Sequence, residues 1–298
     1  MRPTIRQLEY LVELAECLNF RGAAARCHVT QPALSKQLQQ LEAQLGLKLF
    51  ERDTKRVLPT PAGREMAHLA KRLLIELDRL VEAGRGLGPA LAGTLRIGVI
   101  PTVAPYLLPH VLPHIREQFP QVRPLLREAK TVELVRELLD GGLDVLILAP
   151  DTTLVGVEVD PLFTDDFLLA APANHPLASL KTLKPKDLRG HDVLLLDEGH
   201  CLRVQVLPLC QKAGATEVGD FRASSLVTLV EMVASGVGVT LLPEMAGELA
   251  RERAGIVVRP FADPPTRDIG LAWRPGSPRA REFKKLGRTI LEAWAKKP

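Results

Sequence analysis

Two of the four cysteines in this 298-residue chain stand nine positions apart, in Leu196-Asp-Glu-Gly-His200-Cys201-Leu-Arg-Val-Gln-Val-Leu-Pro208-Leu-Cys210. Thiols are nucleophiles that oxidise stepwise, so a pair within a short segment is a candidate redox couple. Asp197 and Gly199 mark a strand end and a helix entry, which puts Cys201 at a helix N-terminus beside His200. Backbone N–H groups and an imidazolium there would stabilise a thiolate, and Asp197 and Glu198 would oppose that. If residues 201–210 form one helix, the two Cα atoms lie about 13.5 Å apart along the axis and about 180° apart around it. A disulfide needs Cα atoms within about 7 Å, so bonding requires the segment to unwind. Pro208 eases this, because it lacks an amide donor and disfavours helix at Leu207. These are the parts of a redox switch in which oxidation selects a second packing. The competing reading is two buried, inert thiols beside a surface histidine.

The elements that must position this segment follow from length and pattern. The length predicts about two domains and needs no staples. With 46% hydrophobic and 25% charged residues the composition is globular, neither disordered nor fibrous. Four cysteines are too few for a disulfide framework, and no Cys-x-x-Cys or Cys/His cluster offers a metal site; no cofactor is expected. The apolar runs are too short to span a membrane and no signal core follows Met1, so a soluble cytoplasmic protein is expected. The net charge of +4 sits wholly in residues 1–90, with 14 basic against 10 acidic groups, while residues 91–298 hold 25 of each. A basic head on a neutral body fits a nucleic-acid reader attached to a sensing or catalytic domain.

Within the head, Ile5, Leu8, Leu11, Val12 and Ala15 repeat at helical spacing. Asn19 caps a short helix over Phe20 to Cys27, His28-Val29 makes a break, and Thr30 caps a third helix from Gln31 to Leu45 that stops at Gly46. Two short helices joined by a tight turn are a helix-turn-helix, whose second helix enters the major groove. Thr30, Gln31, Ser35, Lys36 and Gln39 form its polar face, and Ala33, Leu34, Leu38, Leu41 and Leu45 its packing face. Leu47 to Arg52 and Arg56 to Pro59 predict a two-stranded wing around Asp53-Thr54-Lys55, with Arg52, Lys55 and Arg56 toward phosphates or a minor groove. Thr60-Pro61 opens a long helix to Arg85 whose apolar positions, Met66 through Leu73 and Leu74 to Val81, repeat like a coiled-coil seam, predicting a dimerisation helix. A Gly/Pro linker follows at 84–89.

From Thr94 onward, strand-like runs at 95–100, 123–127, 143–149, 167–171, 193–196, 237–242, 256–260 and 269–273 alternate with helical patterns at 105–119, 132–139, 226–234 and 279–296. That alternation predicts parallel-rich α/β sheets with helices on both faces. No Gly-x-Gly-x-x-Gly or Walker motif supports nucleotide binding.

Ala23-Ala-Ala25, Thr30-Gln31-Pro32-Ala33-Leu34-Ser35, Leu41-Glu42, Leu45-Gly46, Leu49-Phe50, Arg52 and Thr60-Pro61-Ala62-Gly63 together resemble the LysR-type transcriptional regulators. The resemblance implies a winged helix-turn-helix over 1–60, a linker helix and hinge over 61–90, and a regulatory domain over 91–298. That body would have two Rossmann-like lobes like those of a periplasmic binding protein: 91–162 with 266–298, and 163–265. It implies Thr30, Gln31, Pro32, Ser35 and Arg52 as DNA contacts, with Lys36 and Gln39 beside them, and a homodimer or homotetramer on a double-stranded DNA operator. Asp197 to Leu202, Cys210 with Ala213-Gly214-Ala215, Phe221-Arg222-Ala223, Thr240 to Pro243 and Arg274-Pro-Gly-Ser-Pro278 are similar to the peroxide-sensing members. For those the resemblance implies that hydrogen peroxide oxidises Cys201, that Cys210 resolves it as a disulfide, and that transcription of antioxidant genes changes. Thr102, Thr131, His200 and Arg274 match the expected peroxide pocket. Asp220 stands where such regulators often carry histidine; an acid there slows oxidation or holds Arg222. RNA polymerase and a thiol reductant are the further implied partners. Two other functions compete: a regulator responding to a small organic anion, with the cysteines incidental, and a thiol peroxidase. Cys17 and Cys27 are assigned to helix packing.

Overall fold

The structure, a computed structural model, describes residues 2–52, 57–85, 91–150 and 154–296, without the side chains of Arg52, Asp78, Arg79, 81–85, Asp220 and Phe221. The chain falls into two units, Met1–Pro89 and Ala90–Pro298.

In the first unit, α1 (Ile5–Cys17), α2 (Phe20–Arg26) and α3 (Gln31–Leu45) precede a two-stranded antiparallel wing of β1 (Phe50–Arg52) and β2 (Val57–Pro59), and α4 (Pro61–Arg85) closes it. Each helix start has a cause. Thr4 and Gln7 form a capping box on α1, and Asn19 accepts from the amides of Arg21 and Gly22. Thr30 occupies the N-cap of α3, but its hydroxyl makes no capping bond; Pro32 in the first turn sets the backbone instead. Leu34, Leu38 and Leu41 meet Leu11, Leu14, Ala23 and Ala70 in the core. Ala33, expected on the packing face, is exposed, because it lies 100° round the helix from Leu34 and the buried seam is narrow. Glu42 is buried instead, its carboxylate accepting from the amides of Leu49 and Phe50 and so fixing the entry to the wing. The expected wing-tip residues Lys55 and Arg56, and the linker after Arg85, lie outside the described residues.

In α4, Ala67 and Ala70 pack into the head core and Lys71 pairs with Glu16 at 2.8 Å, whereas Leu69, Leu73 and Leu80 of the expected seam are exposed.

The second unit runs β3 (Gly93–Val99), α5 (Ala104–Gln118), β4 (Val122–Glu128), α6 (Thr131–Leu139), β5 (Val145–Leu148), β6 (Glu158–Pro172), β7 (Asp192–Leu196), α7 (Cys201–Ala213), β8 (Thr216–Ala223), α8 (Leu226–Ala234), β9 (Thr240–Pro243), α9 (Gly247–Arg251), β10 (Ile256–Pro260), β11 (Thr266–Trp273) and α10 (Ala280–Ala295). The sheets are mixed. β3 pairs in parallel with β4 and β5, and β7 with β8, as strand-helix alternation requires. β6, β9, β10 and β11 run antiparallel, and they stitch two lobes together. The first part of β6 pairs with β11 and its last part with β9 and β10, so this one strand passes from lobe I to lobe II near Asp166. Each lobe has its own apolar core, around Leu146 and Phe283 in one and Leu194 and Leu241 in the other.

Gly63 is the tightest approach in the head. A Cβ there would stand 1.9 Å from the Leu49 carbonyl oxygen, so the first turn of α4 sits directly on the chain entering the wing. Gly63→Ala is expected to destabilise the head by about 1–3 kcal/mol, as forced overpacking does. Urea unfolding followed through the head's helical signal checks this, and an unchanged midpoint would contradict it.

Candidate functional site

Helix α7 begins at Cys201 and runs unbroken through Pro208 to Ala213, where Gly214 caps it. It survives its proline because Leu202, Val206 and Cys210, four apart, all pack into the lobe II core. Cys201 lies on the opposite side of the helix and packs into the lobe I core with Ile100, Val103, Ala129 and Met245. The two thiols form no disulfide, are both buried, and are committed to different cores. The sequence-derived separation of about 13.5 Å applies in full, since the helix is continuous. Burial, with a smaller push from Glu217, raises the Cys210 thiol to about 11.

Cys201 sits where the C-terminal ends of β3 and β4 hand over to α5 and α6. Lys130, the N-cap of α6, reaches across to the turn before α7, donating to the Glu198 carbonyl at 2.7 Å with Asp197 at 3.6 Å. Its neighbour Thr131 is buried with its hydroxyl unpartnered, and so is Nε2 of His200, two residues beyond Glu198. Buried polar atoms are rarely left so, and each of these two could hydrogen-bond a small guest. His200 is not a surface residue. Burial, then the Lys130 charge, holds its pKa below the ordinary range against Asp197. Burial therefore favours the uncharged imidazole over the imidazolium considered from sequence.

Thr102, on the turn after β3, is buried and accepts at Oγ1 from Arg267 at 3.0 Å, while its carbonyl accepts from the same guanidinium at 3.1 Å. Arg267 is fully buried and paired with Asp165, its cross-strand partner between β11 and β6. The other Asp165 oxygen accepts from the Met245 amide. Burial pushes the Asp165 carboxyl upward against the pull of Arg267. Arg274 goes elsewhere: its guanidinium donates to the carbonyls of Leu138 and Leu143. Leu138 is at the C-terminal end of α6, about 10 Å from Thr131 at 1.5 Å per residue, and Leu143 is in the turn before β5. The buried cation beside Thr102 is therefore Arg267, which sequence reasoning passed over. Its signal was faint, a charged residue in a stretch, Thr266-Arg267-Asp268, that resembles loop. Arg222 pairs with Glu198 at 2.9 Å; the Asp220 side chain lies outside the described residues.

In the head, α3 presents Thr30, Gln31, Pro32, Lys36 and Gln39 to solvent with Ser35 half-buried. The uncommitted Thr30 hydroxyl, the exposed Ala33 methyl and the amides add up to a surface able to read base edges and thymine methyls. The Arg52 side chain lies outside the described residues. Cys17 and Cys27 are half-buried against this core, with Cys17 Sγ 4.0 Å from Glu13.

Comparison with known proteins brings these observations together. Residues 5–64 match the family model for the bacterial regulatory helix-turn-helix protein of the lysR family, and residues 89–295 the LysR substrate binding domain. The DNA-binding transcriptional dual regulator OxyR of Escherichia coli K12 is 46% identical over 288 residues, 96% of this chain and 94% of the relative. A full-length cysteine-to-aspartate variant of Pseudomonas aeruginosa OxyR superposes with a TM-score of 0.78 at 36% identity, covering 97% of this chain and 95% of the other. A cysteine-to-serine variant of Corynebacterium glutamicum OxyR with hydrogen peroxide bound gives a TM-score of 0.69 at 35% identity, covering 99% and 94%.

The raised Cys210 pKa makes a direct prediction. At pH 8, with Cys201→Ser in place, iodoacetamide should modify Cys210 about two orders of magnitude more slowly in the folded protein than after denaturation, because a pKa near 11 leaves little thiolate. Comparable rates would mean Cys210 is not held as described.

Proposed function

The chain belongs to the LysR family of DNA-binding transcriptional regulators, and we propose that it senses hydrogen peroxide through Cys201 and Cys210. The observation that carries this is one helix holding two thiols in two different cores, beside unpartnered buried polar atoms. The thiolate of Cys201 attacks one peroxide oxygen, the O–O bond breaks, and hydroxide leaves, giving a sulfenic acid on Cys201. Thr131 and His200 hydrogen-bond the peroxide. Thr102 and its bound Arg267 stabilise the departing oxygen's charge.

Cys210 then attacks the sulfenic sulfur, water leaves, and the disulfide closes. In the helical state Cys210 is a buried thiol raised to about 11, so it becomes nucleophilic only on leaving the lobe II core. The same unwinding that shortens the distance therefore also activates the attacking sulfur. Resolution is gated by motion. A thiol reductant returns both sulfurs to thiols, with two reductant thiols becoming a disulfide.

Residues 1–60 serve as the DNA-reading domain, 61–90 as linker, and 91–298 as the regulatory body. Thr30, Gln31, Pro32, Ser35, Lys36 and Gln39 line the operator-facing helix, with Arg52 on the phosphates. The exposed Leu69, Leu73 and Leu80 stripe of α4 pairs subunits into a dimer, doubled into a tetramer on DNA. Repacking of the body reorients the heads and changes contact with RNA polymerase, in the cytoplasm where operator and reductant both lie. The family is one of regulators rather than enzymes, and no described helix is long and apolar enough to cross a membrane.

Stoichiometric peroxide, followed by mass-spectrometric mapping and operator binding, tests the reading. A Cys201–Cys210 disulfide should form together with a changed DNA footprint, and Cys201→Ser should abolish both. Cys210→Ser should stop at a sulfenic acid. Unmodified Cys201, or a disulfide with no change on DNA, would refute it; sustained reductant-coupled turnover would favour a peroxidase.

A further inference from the structure

The turn that precedes α7 is tied to lobe I through Lys130. Besides its contacts to the Glu198 carbonyl and the Asp197 carboxylate, its aliphatic stem lies over Gly199, where a Cβ would stand 3.1 Å from Lys130 Cδ. Gly199 has φ of +84°, a conformation that only glycine adopts without strain, so the tie bears on the hinge that leads into Cys201. Leu202 and Val206 hold α7 to lobe II, the lobe it belongs to. Cys201 and the 197–199 turn are instead held by lobe I.

We propose that Lys130 is a positioning residue that latches the switch in its reduced arrangement, opposing the movement that carries Cys201 toward Cys210. This rests on reading those two cysteines as the redox pair. To reach Cys210 the chain before and within α7 must leave lobe I, and that means parting both the buried thiol and the Lys130 contact. The thiol is buried in the lobe I core, so releasing it opens that core. The Lys130 contact is electrostatic and partly open to water, its ammonium side chain 32% and Asp197 44% exposed, so it can be removed without opening a core. On this proposal the contact is given up when the disulfide closes, so its removal raises the free energy of the reduced form alone.

The experiment equilibrates the full-length protein in glutathione buffers and quantifies the Cys201–Cys210 disulfide by thiol trapping and mass spectrometry. The exchange is protein dithiol plus glutathione disulfide giving protein disulfide plus two glutathione thiols. Lys130→Met keeps the stem and deletes the charge and donors. It is expected to shift the equilibrium constant about three- to tenfold toward the disulfide, or roughly 15–30 mV lower in potential, since tenfold corresponds to about 30 mV for two electrons. Lys130→Arg should stay near the parent value, and Lys130→Gln serves as a second charge-free variant should Lys130→Met fold poorly. Equal potentials for the parent and both charge-free variants, or a shift toward the dithiol, would overturn the latch. A parent protein that forms no such disulfide at any glutathione ratio would instead overturn the sensing reading, and the latch with it.

Discussion

An α-helix advances 1.5 Å and turns 100° with each residue, and in this protein that arithmetic keeps two thiols apart. Nine residues put Cys201 and Cys210 on opposite sides of α7, and the flanking cores enforce what the helix dictates. One sulfur is packed into lobe I and the other into lobe II. A disulfide between them is incompatible with the arrangement described, so oxidation has to select another. This is a two-state element of the kind on which switching depends: small chemistry at one sulfur, amplified because packed cores repack rather than stretch.

The junction beside that helix carries a buried ion pair. β6 and β11 run together across the boundary, and the buried Arg267–Asp165 pair between them also grips Thr102 of lobe I and the Met245 amide that follows β9. Breaking such a pair by losing one partner leaves an uncompensated buried charge and costs several kcal/mol, so this junction is a poor place to flex. The α7 segment offers less resistance. Pro208 removes one internal hydrogen bond, Gly199 supplies a hinge, and the Lys130 tie is partly solvated. These features lie in or beside the stretch that carries both cysteines.

Much of this was legible from residue types and spacing, and the failures have physical reasons. Apolar periodicity and caps placed α1, α2, α3 and α4 closely, because those helices fold on local signals: Asn19, Pro32, Gly46 and Pro61 each act within one turn. The first part of β6 and all of β8 were missed. Asp160, Pro161, Asp165 and Asp166 look like loop, and they form a strand because β11 pairs with them along its whole length. The same tertiary pairing hid Arg267, whose role comes from a partner about a hundred residues away in sequence. Arg274 drew the pocket assignment by its place in a motif, whereas its side chain serves the far end of α6. The imidazolium weighed beside Cys201 is disfavoured because His200 is buried, a fact no local pattern reveals. Local chemistry is readable in advance; which polar groups share a buried junction is decided by the fold.

For the sulfurs to meet α7 must unwind, and amide hydrogen exchange across residues 201–210 measures that directly in the full-length protein. Protection in the reduced state should be high. It should fall sharply over this stretch once stoichiometric peroxide has closed the disulfide, while Cys210→Ser, stopped at the sulfenic acid, keeps its protection. A Cys201–Cys210 disulfide that forms with the amides of α7 still protected would contradict the account.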